Sequence, residues 1–194
     1  MLNRFALIIF MVLAATVSHA ANPSIVRIGD FARHANGSGV ILTSDGYIVT
    51  NFHVISQPDN LGVRLSNGRE YWAKGVFFDK ENDLAIIKIN ATDLTPAKFS
   101  VVRKSELLTM TGYVNLVEKN IVGNVEDITA SSSTKRELIA IDAVLIKGMS
   151  GGAMLNKYGE VVGINCGFWV IKDHPTVSYG ISADRVLALF RRSM

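Results

Sequence analysis

The sequence predicts an all-β, antiparallel fold, and three observations carry that prediction. Short β-branched and apolar runs recur along the chain, turn-forming residues separate them roughly every 8 to 12 positions, and one segment alone has helical periodicity. In chain order, residues 40–42 and 47–55 are strand-like and flank the turn sequence Ser44-Asp45-Gly46. Val63-Arg64-Leu65 alternates, and residues 70–78 return from it across Asn67-Gly68, the strongest short hairpin signal. Leu84-Ala85-Ile86-Ile87-Lys88-Ile89 has the composition of a buried strand. Further strands are expected at 107–113, 121–128, 138–144, 153–155, 161–165 and 177–181. Residues 183–192 read as a helix, with Val186, Leu187, Leu189 and Phe190 on its apolar face. Polar breaks fall at 93–98 and 130–136, the first placed to join two half-domains. This spacing is that of a β-sandwich or barrel.

Composition agrees. Of 194 residues 48% are hydrophobic and 19% charged, which excludes disordered and low-complexity classes and fits one domain, or one domain built from two halves. Residues 1–20 have the layout of a secretory signal: Asn3 and Arg4, an apolar run of 13 residues from Phe5 to Val17, then Ser18-His19-Ala20 as a cleavage site. A helix of that run spans only about 20 Å against a hydrocarbon core of about 30 Å, so no permanent membrane anchor is expected. Cleavage near Ala20 would leave residues 21–194 as a soluble periplasmic or secreted protein. It would remove Arg4 alone among charged residues and lower the net charge from +3 to +2, with no dense basic stripe for nucleic acid. Cys166 is the single cysteine, so no intramolecular disulfide can form. Nothing basic flanks it, which favours a packed thiol over a nucleophile.

The chemistry concentrates in three places. Gly148-Met149-Ser150-Gly151-Gly152 sets a serine between glycines, which let a backbone turn several N–H groups toward one point. A serine hydroxyl needs a neighbouring base that is itself oriented by a third group. His53 ends the strand-like run from Tyr47, whereas His34 and His174 lie in polar loop sequence. Asp83 stands immediately before the apolar strand from Leu84, where a carboxylate is costly unless an imidazole pairs with it; Asp79 and Glu81 are alternatives on the same loop. No metal-ligand spacing and no phosphate-binding loop is present, so no cofactor is expected. Gly148-x-Ser150-x-Gly152 also fits a hydrolase nucleophile elbow, but that fold needs Asp and His after the serine and crossover helices, which the downstream segment does not offer.

The chain resembles the trypsin-like serine proteases of the HtrA (Deg) branch. The resemblance rests on Gly37-Ser38-Gly39-Val40-Ile41, on residues 44–54 ending in Phe52-His53-Val54, and on Asn82-Asp83-Leu84-Ala85. It continues through Asp142-Ala143, Gly148-x-Ser150-Gly151-Gly152-Ala153 and residues 159–165. It implies two perpendicular six-stranded antiparallel β-barrels, at about 21–95 and 99–182, with a C-terminal helix at about 183–192. It implies His53 as general base, Asp83 as its orienter, Ser150 as nucleophile, and the N–H groups of Gly148 and Ser150 as oxyanion hole. Val144, six residues before the serine, would floor the primary specificity pocket with Tyr179 and Ile181, an apolar lining suited to small or medium aliphatic side chains. The expected partners are polypeptide substrates, with an endopeptidase as the function and a protease-fold binding module with little turnover as the alternative. Relatives are often trimers, and either a monomer or a trimer is compatible with this sequence.

The departures from the family pattern are local. Met149 stands where relatives commonly carry Asn and where digestive trypsins carry Asp, so activation by an N-terminal amine salt bridge is not expected. Ile146 and Lys147 also depart, on the loop that presents the oxyanion N–H groups, which raises the question whether the hole is preformed. The sequence ends at Met194, before the PDZ domains that usually follow in relatives, so PDZ-dependent regulation is not expected.

Overall fold

The computed structural model describes residues 21–30, 37–56, 60–130, 137–169 and 177–194. The expected signal segment, His34 and His174 lie outside the described residues. Strands β1 (Ile25–Gly29), β2 (Gly37–Ile41), β3 (Tyr47–Thr50), β4 (Gly62–Arg64), β5 (Glu70–Asp79) and β6 (Leu84–Ile89) close a first barrel in the order β1-β2-β3-β6-β5-β4. Strands β7 (Leu107–Val114), β8 (Val117–Ala130), β9 (Glu137–Ile141), β10 (Ala153–Leu155), β11 (Val161–Trp169) and β12 (Val177–Ser182) close a second in the order β10-β11-β12-β9-β8-β7. Helix α1 (Phe52–Ile55) is a single turn after β3, and α2 (Ala183–Ser193) follows β12. All the strand pairings are antiparallel. The expected fold class, two six-stranded antiparallel barrels with a C-terminal helix, is the observed one.

The alternation along each strand explains where the core sits. In β6, Ile87 and Ile89 point into the first barrel with Val26, Ile28 and Ile48. Leu84 and Ile86 point the other way, into a layer shared with Ala153, Ile164 and Ile181 of the second barrel and Val186 and Leu189 of α2. Both faces of β6 are therefore buried, which is why its sequence is nearly continuously apolar instead of alternating. The second barrel encloses its own cluster around Leu108, Met110, Ile139, Ile141 and Met149. Helix α2 seats Val186 and Leu189 in the shared layer and sets the Phe190 ring edge-on to Tyr47 at 5.6 Å. Asp184 in its first turn and Arg191 and Arg192 in its last complement the helix dipole.

Several element bounds differ from the sequence reading. Residues 47–55 are not one strand: the ladder to β6 ends at Thr50↔Ala85, and beyond it the chain turns helical, placing His53 on α1. β1 was not anticipated, because its short run is interrupted by Arg27. β8 is longer than 121–128, since its polar start stays paired with β7 down to Val114↔Val117. β9 ends at Ile141 instead of Val144, because Ser178 takes over the next segment, donating its N–H to Ala143 and accepting that of Leu145 on its hydroxyl. β11 runs past Asn165 through a bulge at Cys166, where the register jumps from Asn165↔Gly180 to Gly167↔Tyr179.

Candidate active site

The first component is built on the end of β3 and the start of β6. Asp83 adopts φ +53°, a left-handed conformation that costs a non-glycine residue energy and persists only when its surroundings fix it. Four hydrogen bonds do so. Its carbonyl accepts the Phe52 N–H at 3.1 Å and the Asn51 Nδ2 at 3.0 Å. Its carboxylate accepts the His53 backbone N–H at 2.9 Å on Oδ1 and His53 Nδ1 at 2.7 Å on Oδ2. A carboxylate only accepts, so Nδ1 carries the proton and Nε2 is left as the acceptor nitrogen. The His53 side chain is 49% exposed and that of Asp83 16%. The runner-up Asp79 is used elsewhere, holding the turn through the backbone and side-chain nitrogens of Asn82 at 3.1 and 2.7 Å.

The second component is the loop from Ile146 to Gly152 ahead of β10. Met149 is fully buried in the second barrel and anchors the loop there. Its apolar side chain fills core where an acid would be unpaired. Around it, the three carbonyls of residues 148–150 all accept hydrogen bonds from the protein. Gly148 O accepts Ser38 Oγ at 2.9 Å. Met149 O accepts Gly152 N at 3.0 Å and Asn165 Nδ2 at 3.3 Å. Ser150 O accepts Ser38 N at 2.7 Å. With the oxygens turned inward, the N–H groups of Gly148 and Ser150 donate to no group among the described residues. Two conformations allow this. Gly148 has φ +104° and a Cβ there would sit 2.6 Å from Tyr113 O; Gly151 has φ +83° and a Cβ there would overlap Ser38 O.

The third component joins the other two. At the β11 bulge, the Cys166 carbonyl accepts the Ser150 hydroxyl at 3.1 Å, and the Cys166 thiol donates to Asp83 Oδ2 at 3.2 Å. Ser150, Cys166, Asp83 and His53 thus form one connected hydrogen-bonded chain, and the three residues expected from sequence converge at the contact between the barrels. Cys166 is buried, as a packed thiol should be, but its place against Asp83 was not foreseen. A bulge that re-aims one side chain has no local sequence signature beyond the following Gly167. In the sequence Ser38 stands out only within Gly37-Ser38-Gly39, and Asn165 only as the end of the run 159–165.

The carboxyl of Asp83 lies below its ordinary 3.8. Burial alone would raise it, but the side-chain and backbone hydrogen bonds from His53, the His53 charge and the Cys166 thiol together outweigh burial. Among the residues expected to shape specificity, Val144 is 53% exposed, Tyr179 is half-buried and Ile181 is wholly buried in the shared core. The Tyr179 ring lies against Gly167, where a Cβ would stand 3.0 Å from its hydroxyl. Among the described residues no three His, Cys, Asp or Glu side chains converge as a metal site requires, and no helix is long and apolar enough to cross a membrane.

Because its native pKa is depressed, Asp83 contributes stability above the unfolded-state pKa that is lost as pH falls through the folded-state value. Asp83→Asn is expected to lower the urea midpoint at pH 7, and the gap to the unsubstituted protein is expected to narrow by pH 3. A gap that stays constant with pH would contradict this.

Residues 37–164 match the family described as "Trypsin-like peptidase domain". The chain is 36% identical over 146 residues to a "Probable periplasmic serine endoprotease DegP-like" of Pseudomonas putida, covering 71% of this chain and 30% of that protein. It is 36% identical over 158 residues to "Serine endoprotease DegS" of Haemophilus influenzae, covering 77% and 44%. It thus spans under half the length of these relatives. The solved structure "HtrA-type protease AlgW with decapeptide" superposes with a TM-score of 0.78 at 21% identity, over 90% of this chain and 65% of that one. The chain belongs to the trypsin-like serine peptidases, in the group of relatives named DegP, DegS and HtrA.

Proposed function

We propose that this protein is a serine endopeptidase that cleaves exposed polypeptide chains outside the cytoplasm, with Ser150 as nucleophile, His53 as general base and Asp83 orienting His53. The observation that carries the reading is the pair of amide N–H groups, at Gly148 and Ser150, that the described residues leave without an acceptor beside a serine hydroxyl. Gly148 is buried, and a buried donor without a partner is costly unless something else supplies one. A tetrahedral oxyanion on the carbon attacked by Ser150 Oγ is the acceptor such a pair suits. Despite the departures at Ile146, Lys147 and Met149, two hydrogen bonds on Met149 O hold the peptide plane that carries the Ser150 N–H, and those on Gly148 O and Ser150 O fix its neighbours, which favours a preformed hole.

The reaction runs through proton transfers the geometry supports. The Ser150 hydroxyl rests on the Cys166 carbonyl, and a χ1 turn carries its proton toward His53 Nε2. Rotamer turns of exposed side chains take picoseconds to nanoseconds, far faster than typical turnover, and catalysis requires that the half-buried Ser150 hydroxyl leave this one bond within a turnover. Oγ then bonds to the substrate carbonyl carbon as its proton passes to His53. The oxyanion collapses, the C–N bond breaks, and the leaving amine takes the proton from His53. Water repeats the sequence to release the acid and restore Ser150. The Asp83 carboxylate stabilises the imidazolium formed in each half.

The periplasmic names of the relatives support a location beyond the cytoplasm, reached by cleavage of residues 1–20 near Ala20. For specificity, Val144 and the Tyr179 ring across Gly167 favour a short apolar pocket, suited to small or medium aliphatic residues before the scissile bond. The second reading, a binding module with little turnover, is favoured by one feature: the Ser150 hydroxyl is bonded to Cys166 and not to His53.

An active-site fluorophosphonate is expected to label Ser150. Ser150→Ala is expected to abolish labelling and lower degradation of denatured casein by about 10⁴-fold or more. A folded protein that neither labels nor degrades would establish the binding module. Across a peptide panel, cleavage is expected after Ala, Val or Leu; a preference for Arg or Lys would overturn the pocket assignment.

A further inference from the structure

We propose that Ser38 is a positioning residue for the oxyanion-binding loop: its buried hydroxyl ties the Gly148 carbonyl to the first barrel and so fixes the peptide plane between Gly148 and Met149, the unit that joins the two planes carrying the Gly148 and Ser150 N–H groups. The proposal rests on the serine-peptidase reading and adds to it a residue from β2, outside the triad and the hole.

Ser38 is wholly buried. Its hydroxyl accepts the Tyr113 N–H at 2.7 Å and donates to Gly148 O at 2.9 Å. An amide N–H cannot accept and a carbonyl cannot donate, so the direction of both bonds is fixed. Its backbone is equally committed: Ser38 N donates to Ser150 O at 2.7 Å, and Ser38 O accepts Thr50 Oγ1 at 2.7 Å. One residue of the first barrel therefore holds the carbonyls on either side of Met149.

The side-chain bond is what ties the plane between Gly148 and Met149 to the first barrel. Met149 O has two donors from the second barrel, and Ser150 O is held by the Ser38 backbone, which substitution leaves in place. Gly148 O accepts from Ser38 Oγ alone among the described residues. A peptide unit is planar, so fixing an oxygen fixes its whole plane. Gly148, at φ +104°, has no Cβ and little intrinsic resistance to rotation. Without the Ser38 hydroxyl, the plane between Gly148 and Met149 keeps only the Met149 N–H bond to Ile146 O at 3.0 Å, and the adjoining plane, which carries the Gly148 N–H and meets it at the Gly148 Cα, loses its fixed support. The His53–Asp83 pair is untouched, because Ser38 bonds to neither.

The test compares the full chain with Ser38→Ala, Ser38→Cys and Ser150→Ala, each normalised to folded protein by circular dichroism. For Ser38→Ala, kcat is expected to fall roughly 10- to 100-fold, somewhat less than complete loss of one oxyanion donor would give. KM is expected to stay within about 3-fold, as for an interaction made in the transition state. Affinity for a peptidyl boronate, which mimics the tetrahedral oxyanion, should weaken by the same factor as kcat. The shape of the pH–rate profile should not change. Ser38→Cys, retaining a weak donor, should fall between, and it carries the test if the alanine variant does not fold. A folded Ser38→Ala that keeps full kcat and boronate affinity, with only a lowered melting temperature, would show a purely structural role and overturn the proposal. If the unsubstituted protein has no turnover dependent on Ser150, the peptidase reading fails and the proposal falls with it.

Discussion

The site depends on the inward orientation of three consecutive carbonyls at residues 148–150. The Met149 carbonyl shares its peptide plane with the Ser150 N–H, so turning that oxygen outward would withdraw one donor and put an acceptor where a substrate oxyanion needs donors. Neither barrel secures the arrangement alone. The first supplies Ser38, by side chain and backbone; the second supplies Gly152 N and Asn165 Nδ2. The barrels must therefore be docked in one register, and the shared apolar layer from Ile25 through Ile164 to Leu189 does that docking. Apolar burial supplies the stability, and a few buried hydrogen bonds set the geometry.

A second balance operates at Asp83. Its left-handed backbone and partly buried carboxylate are both unfavourable taken alone. Each is offset by the same partner segment, with Asn51 and Phe52 bonding its carbonyl and His53 bonding its carboxylate twice. The consequence is an imidazole whose orientation and tautomer are both set. Cys166 extends the arrangement, because its thiol is a third donor to the carboxylate while its carbonyl holds the serine. The lone cysteine is thus built into the site without being positioned as a nucleophile.

Much of this was legible in the residues. The turn Asn67-Gly68 marked the β4–β5 hairpin, the apolar run from Leu84 marked a strand buried on both faces, and the periodicity after residue 182 marked α2. Ser150 stood out between glycines, His53 at the end of a strand-like run and Asp83 before a buried strand, and their order along the chain matched a known pattern. What escaped was set by tertiary pairing. His53 read as the end of a strand, since only the end of the ladder at Ala85 turns residues 52–55 into a helix. β1 was missed because Arg27 breaks the apolar pattern, although that strand is fully buried. The roles of Ser38, Cys166 and Asn165 depend on contacts reaching as far as 110 residues along the chain, which no local pattern encodes.

The most direct test of the account is a crystal structure of the protein with a peptidyl boronate. The account predicts a boron atom bonded to Ser150 Oγ and one boronate oxygen within about 2.7–3.1 Å of both the Gly148 and Ser150 nitrogens. His53 Nε2 should face the adduct while Nδ1 remains on Asp83. A boronate bound away from Ser150, or a loop with the Gly148 or Ser150 N–H turned into the protein, would contradict it.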